Sequence, residues 1–133
     1  MNTIRIGVVG AGETGTPLLR ELFSAAFVDV VGVADLDPDA PGVALARAHG
    51  CATFGDALDV AALGEDVDII IDTTGVPQVR DGLRTQMQES GNRHTIIMHE
   101  LIAVLLMSLS QGRLVSSKHA AVDYESPAAH PVA

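Results

Sequence analysis

The sequence predicts an α/β domain, a doubly wound parallel sheet of about five strands ordered 3-2-1-4-5. Three observations carry the prediction. Short runs rich in Val and Ile alternate with helical patterns from residue 3 to about residue 110. Parallel strands covered by helices on both faces read as such near-continuous apolar runs. A glycine-rich turn, Gly10-Ala11-Gly12-Glu13-Thr14-Gly15, joins the first run to the first helical pattern. An acid, Asp35, closes the second run, 20 residues beyond Gly15. Right-handed crossovers leave few arrangements for this succession, and the 3-2-1-4-5 order is the most economical.

Each element has its own signal. Thr3 to Val9 is β-branched and apolar and stops at Gly10. Leu18, Leu19, Leu22, Phe23 and Ala26 recur at helical spacing. Val28 to Ala34 is the second strand, and Asp35-Leu36-Asp37-Pro38-Asp39 is turn chemistry. Pro41 to His49 is Ala-rich and helical, with Gly50 placed to end it. Cys51 to Phe54 is a short third strand, and Asp56 caps a helix reaching Leu63. Val67 to Asp72 is the fourth strand. Pro77 to Glu89 carries Val79, Leu83 and Met87 on one helical face. Gly91-Asn92 turns the chain into a fifth strand, His94 to Met98, and Glu100 to Ser110 is the last helix.

The 133 residues suit one domain, expected over residues 1–111, with residues 112–133 a short helix or loose tail. Hydrophobic residues make up 47% and aromatics 3%, so the core must rest on aliphatic packing. A formal net charge of −9 repels phosphate backbones and anionic lipid heads. Nucleic acid and membrane surfaces are therefore excluded as expected partners. The single cysteine, Cys51, excludes an intrachain disulfide, and a reducing, cytoplasmic location is expected. The N-terminal residues run straight into a strand pattern without signal-peptide features. The longest apolar run, Leu101 to Met107, is far short of the roughly 20 residues a membrane span needs.

The glycine turn has the order strand, glycines, helix that pyrophosphate binding requires. Gly10 permits the tight turn, Gly12 leaves room for a close phosphate, and Gly15 lets helix and strand pack closely. The helix N-terminus adds free N–H groups and a partial positive charge. Its competing reading is a strand–helix connection shaped by glycine alone. Asp35 stands where a carboxylate accepts hydrogen bonds from the adenosine ribose hydroxyls, and it would repel a 2′-phosphate. NAD (NADH) is thereby favoured over NADP as cofactor. Asp37 is a weaker candidate for that role, and Asp35 can also be read as merely starting its turn. The ligand of a doubly wound sheet lies beyond the carboxyl ends of its strands. The expected dinucleotide site is Gly10, Ala11, Gly12, Glu13, Thr14, Gly15, Asp35, Leu36, Thr73, Thr74 and Gly75. Thr73 to Gly75 read equally as a turn capping the next helix.

The glycine turn, the strand ending Val33-Ala34-Asp35, the Asp37-Pro38-Asp39 turn before an Ala-rich helix, and the strand ending Asp72-Thr73-Thr74 resemble one family. They are similar to the N-terminal domain of glucose–fructose oxidoreductases and inositol dehydrogenases, over residues 3 to about 100. The resemblance implies a Rossmann-type domain and oxidoreductase chemistry. It also implies a Glu-Lys-Pro signature after the fifth strand, whose lysine serves catalysis. Glu100 matches the glutamate, but Leu101 and Ile102 replace the lysine and proline. Lys118, the only lysine in the chain, lies beyond the motif. The family's C-terminal substrate domain has no counterpart in this chain. The resemblance thus supports cofactor binding more than catalysis.

His99 and Glu100, at the carboxyl end of the fifth strand, are the weak candidates for catalysis as general acid or base. Their plainer reading is a helix start, with Glu100 favoured there by the dipole. No histidine spacing suggests a metal site, and none is expected. Cys51 reads as a small core residue, not a nucleophile. The last helix, 100–110, is apolar around most of its circumference, whereas a helix on a sheet needs one apolar stripe. A homodimer, or a partner protein docked there, is expected to cover the rest. Three functional readings follow. The first is an NAD-linked oxidoreductase, or its cofactor-binding half, acting on a small hydroxy or carbonyl substrate. The second is a non-catalytic nucleotide-sensing domain that regulates another protein. The third is a binder of another adenine nucleotide, such as coenzyme A or S-adenosylmethionine.

Overall fold

The structure is a computed structural model that describes residues 2–115; of the tail expected over 112–133, residues 116–133 lie outside the described residues. Five parallel strands form one sheet: β1 (Ile4–Val9), β2 (Val28–Ala34), β3 (Thr53–Phe54), β4 (Ile69–Asp72) and β5 (Ile96–Met98). Their order is β3-β2-β1-β4-β5, as the sequence predicts. In register, Val9 lies opposite Ala34 and Asp72, and Met98 opposite Ile71. The carboxyl ends of β1, β2 and β4 therefore meet at one edge, and the order reverses between β1 and β4 there.

Among the described residues, four α-helices connect the strands, α1 (Gly15–Ser24), α2 (Pro41–Ala48), α3 (Ala57–Ala61) and α4 (Pro77–Ser90), and a fifth, α5 (Glu100–Gln111), follows β5. Burial divides them into two layers. Leu18, Leu19 and Leu22 of α1, Val43 and Ala46 of α2, and Ala103 and Met107 of α5 pack with Val8, Val33 and Ile71. Val60 and Ala61 of α3 and Leu83 of α4 pack with Val9, Val67 and Ile70. Alternate residues of one strand thus serve opposite faces, so the central stretches of β1, β2 and β4 are apolar on both faces. Leu83 is fully buried, with Val79 and Met87 packed partly beside it, matching the helical face expected there.

Several boundaries differ from expectation. Ala26 is exposed beyond the end of α1. Strand β3 begins at Thr53 rather than Cys51. Asp56 caps α3 by accepting from the Leu58 N–H at 2.9 Å, but α3 stops at Ala61 and a 3-10 turn over Gly64–Asp66 follows. Strand β4 starts at Ile69 and β5 at Ile96, because the residues before them are committed to a polar cluster. Asp68 Oδ2 accepts from the Arg5 N–H at 2.8 Å, and Oδ1 from Arg5 Nη2 at 2.9 Å. His94 Nε2 lies 2.6 Å from the same Oδ1. Asn92 Oδ1 accepts from the N–H of His94 and of Thr95. This cluster ties β1, β4 and β5 together at the edge opposite the glycine turn.

The Arg5 guanidinium first, then the Arg5 N–H and His94, hold the Asp68 carboxyl well below the usual carboxylate range. A carboxyl lowered by folding stabilises the fold fully above its unfolded pKa of about 3.9. That stabilisation fades as pH falls below this value towards the lower folded one. Asp68→Asn should therefore lower Tm at neutral pH and narrow its gap to wild type as pH drops below about 4. Thermal unfolding followed across pH by circular dichroism checks both parts. Equal Tm differences at neutral and strongly acidic pH would contradict it.

Candidate dinucleotide site

The site is assembled where β1 ends. Gly10 adopts φ +97°, a conformation that side chains resist. Its N–H donates to the Ala34 carbonyl at 2.8 Å, fastening the turn to the end of β2. A Cβ on Gly15 would run into the Gly10 carbonyl, so α1 starts against the turn with no space for a side chain. Gly12 is different: a Cβ there would meet nothing within 4 Å. Protein packing does not require its glycine, whereas an approaching ligand would.

Among the described residues, the N–H groups of Gly12, Glu13, Thr14 and Gly15 carry no hydrogen bond, while the Thr16 N–H donates to the Gly12 carbonyl at 3.0 Å. Free donors at a helix N-terminus are what an anion engages. Pro17, in the first turn, leaves this ladder intact. Gly10, Gly12, Glu13, Thr14, Gly15, Asp35, Thr73 and Thr74 line one groove of about 280 Å3, together with Val76. Glu13 is exposed at its rim. Ala11 is fully buried and does not line the groove. Its backbone holds the site together instead. The Ala11 carbonyl accepts from Thr16 Oγ1 at 2.9 Å and from the Gly42 N–H at 2.8 Å.

Asp35 sits half-buried at the end of β2. Its Oδ2 accepts from the Ala11 N–H at 2.7 Å and its Oδ1 from the Asp37 N–H at 2.8 Å. The carboxylate is thus held facing the glycine turn, and each oxygen keeps a further lone pair for a ribose hydroxyl. Asp37 turns to its own loop, accepting from the Asp39 N–H. Leu36, 88% exposed, borders a second pocket of about 200 Å3 with Val9, Ala34, Ala57, Val76 and Val79. The two cavities share Gly10, Asp35, Thr74 and Val76. A polar cradle beside an apolar slot suits a phosphate and a flat heteroaromatic ring at either side of a ribose.

Thr73 is 3% exposed, and its hydroxyl lies 3.0 Å from the Val9 carbonyl and 3.1 Å from that of Gly10. It locks β4 to the glycine turn as well as bordering the groove. Thr74 does not cap α4, contrary to the capping reading; the N-cap is Val76 and makes no side-chain cap. The Thr74 hydroxyl accepts from the Val76 N–H and donates to Asp72 Oδ1 at 2.7 Å. Gly75, at φ +66°, forms the exposed turn after it and lines neither cavity.

His99 and Glu100 fall at the start of α5, with His99 as N-cap. Neither lines the glycine groove. His99 Nδ1 lies 3.5 Å from Oδ2 of the buried Asp72. Its ring faces a separate groove beside α4. Burial pushes the Cys51 thiol up to about 11, and Sγ is 3.4 Å from the Val30 carbonyl, so it is no nucleophile at neutral pH. His49 ends α2 and stacks on Phe23 at 4.2 Å, a contact between residues far apart in sequence. Among the described residues, no group of three or more His, Cys, Asp or Glu could hold a metal ion. None of their helices is long and apolar enough to cross a membrane.

Two features of the site escaped the sequence reading. Val9, Gly55, Ala57, Val76 and Val79 border the apolar pocket, which the position of Phe54-Gly55-Asp56 at a strand's carboxyl end could have signalled. Gly42 looks like an ordinary helical glycine. A Cβ on it would lie 2.7 Å from Ala11 Cβ and 2.8 Å from Ala11 O, so it lets α2 abut the glycine turn.

No family model matches the chain. Among curated proteins it is similar to acetaldehyde dehydrogenase of Carboxydothermus hydrogenoformans, 32% identical over 73 residues, 55% of this chain and 24% of that protein. Acetaldehyde dehydrogenase of a Roseiflexus species is 27% identical over 116 residues, 85% of this chain and 34% of that protein. Among solved structures, the WlbA dehydrogenase of Chromobacterium violaceum, in complex with NADH and UDP-GlcNAcA, superposes with a TM-score of 0.56. It is 22% identical and covers 85% of this chain and 34% of its own. A myo-inositol dehydrogenase of Corynebacterium glutamicum gives a TM-score of 0.54 at 23% identity, over 83% of this chain and 33% of its own. The chain thus spans about a quarter to a third of these proteins. Its fold is the Rossmann-type domain, resembling that of dehydrogenases of the inositol dehydrogenase type.

Proposed function

We propose that the chain binds NAD(H) and serves as the cofactor-binding part of an oxidoreductase. The carrying observation is the groove itself. Open space at Gly12 and free N–H groups from Gly12 to Gly15 face the Asp35 carboxylate held by the Ala11 N–H. The pyrophosphate would lie on the start of α1, the ribose diol on Asp35 and the adenine in the slot by Leu36 and Val79. The bound cofactor would supply hydride transfer. This chain's residues would hold it, and a carboxylate at Asp35 disfavours the 2′-phosphate of NADP. NADH in the WlbA structure and the acetaldehyde dehydrogenase likeness support the reading. A cytoplasmic location suits a single thiol without a disulfide partner.

Calorimetric titration with NADH, NADPH, coenzyme A and S-adenosylmethionine tests it. NADH should bind most tightly. Preference for coenzyme A or S-adenosylmethionine would transfer the site to that nucleotide. A non-catalytic sensing role is the second reading, favoured by Leu101 standing where the resemblance implies a lysine. Turnover of polyols or sugars, lost in His99→Gln or Glu100→Gln, would support the oxidoreductase against it.

The outer side of α5 bears on assembly. Ala103, Val104 and Met107 are buried, but Leu101, Leu105 and Leu109 are 55%, 49% and 71% exposed. They recur every four residues and form one apolar stripe. A second copy covering this stripe makes the chain a homodimer. Light scattering after size-exclusion should then give twice the chain mass, and Leu105→Glu with Leu109→Glu should give monomer. A wild-type monomer at high concentration would contradict this.

A further inference from the structure

A second groove, of about 260 Å3, runs between α4 and the edge strand β5. Arg80 and Arg84, one helical turn apart on α4, line it with Met87, Thr95 and His99. Neither arginine forms an ion pair among the described residues, although acids outnumber bases 17 to 8 along the chain. Two like charges at this spacing repel each other, which disfavours leaving them without a counter-charge. Guanidinium forks match the planar, bidentate demands of carboxylate and the oxygens of phosphate.

His99 completes the wall. The charged groups facing it are Asp72 from β4 and Arg80 and Arg84 across the groove from α4, with Glu100 next in chain at the start of α5. Its Nδ1 is buried, makes no hydrogen bond among the described residues and lies 3.5 Å from Asp72 Oδ2. Asp72 is 2% exposed and its other oxygen already accepts from the Thr74 N–H and hydroxyl.

We infer that the α4–β5 groove is a binding site for a small carboxylate- or phosphate-bearing molecule. Arg80 and Arg84 grip its anionic group, and the His99 ring, beside Asp72, closes the wall next to them. The site is separate from the glycine groove and does not depend on the cofactor reading. Malonate and inorganic phosphate are the probes, each titrated by calorimetry at neutral pH. One or both should bind with Kd of about 1 mM or tighter. The tighter probe tells carboxylate from phosphate recognition. Arg80→Ala with Arg84→Ala should weaken binding about tenfold or more, while Tm and NADH affinity stay as in wild type. The proposal is overturned if neither probe shifts the His99 ring resonances at about 10 mM. It is equally overturned if the double arginine variant binds like wild type. NADH titration of the same samples reads the glycine groove independently.

Discussion

Gly15→Ala should lower the melting temperature by about 10 °C and abolish measurable dinucleotide binding. The new Cβ would run into the Gly10 carbonyl, with the carbonyl carbon 2.8 Å away and Thr73 Oγ1 3.2 Å away. None of these is the free end of a flexible side chain. Gly10 is fixed by its bond to Ala34, and Thr73 by its bonds to Val9 and Gly10. Relief requires α1 to move off β1, and forcing an atom into such packing costs about 3 kcal/mol. That displacement also misaligns the free N–H groups of residues 12–15. Calorimetric unfolding and a NADH titration of the same sample measure both consequences. A variant as stable as wild type would contradict the packing described for the turn.

The second large effect is expected at Asp35. Asp35→Ala removes the acceptor of the buried Ala11 N–H and should destabilise the fold by about 1–3 kcal/mol. Loss of charged hydrogen bonds to a ribose diol should also weaken NADH binding about 10- to 100-fold. NADPH should lose less, because the repulsion of its 2′-phosphate goes with the carboxylate. Asp35→Asn separates the two roles. Its amide oxygen still accepts from Ala11, so stability should largely return while discrimination against NADPH stays relaxed. Unchanged preference in both variants would remove Asp35 from the ribose position and leave it a purely structural acceptor.

The topology was legible because its signals are local. Val and Ile runs mark β1, β2 and β4, and glycines mark the ends of several helices. The glycine turn and Asp35 were legible because the chemistry they suit is tied to spacing along the chain. What stayed hidden depends on contacts between distant segments. Arg5 and Asp68 meet across 63 positions, so Asp68 read as a strand residue rather than as the hub of a cluster. Gly42 could not be told from any glycine in an Ala-rich helix until Ala11 was seen against it. Thr74 has the residue type of a cap, yet its hydroxyl is engaged with Asp72 and the turn at Val76. His99 was marked by its place after β5, but nothing in the sequence linked it to Asp72 or to the groove of Arg80 and Arg84.

Gly12 separates a turn shaped for folding from a turn shaped for a ligand. Gly10 and Gly15 answer to the protein's own packing, but a methyl group at Gly12 would enter open space. The direct measurement is a NADH titration of wild type and Gly12→Ala, with the melting temperature of each. Melting temperatures within about 2 °C, NADH binding by wild type and a loss of about tenfold or more in the variant are expected. Equal NADH affinity in the two proteins, or no binding by wild type, would contradict it.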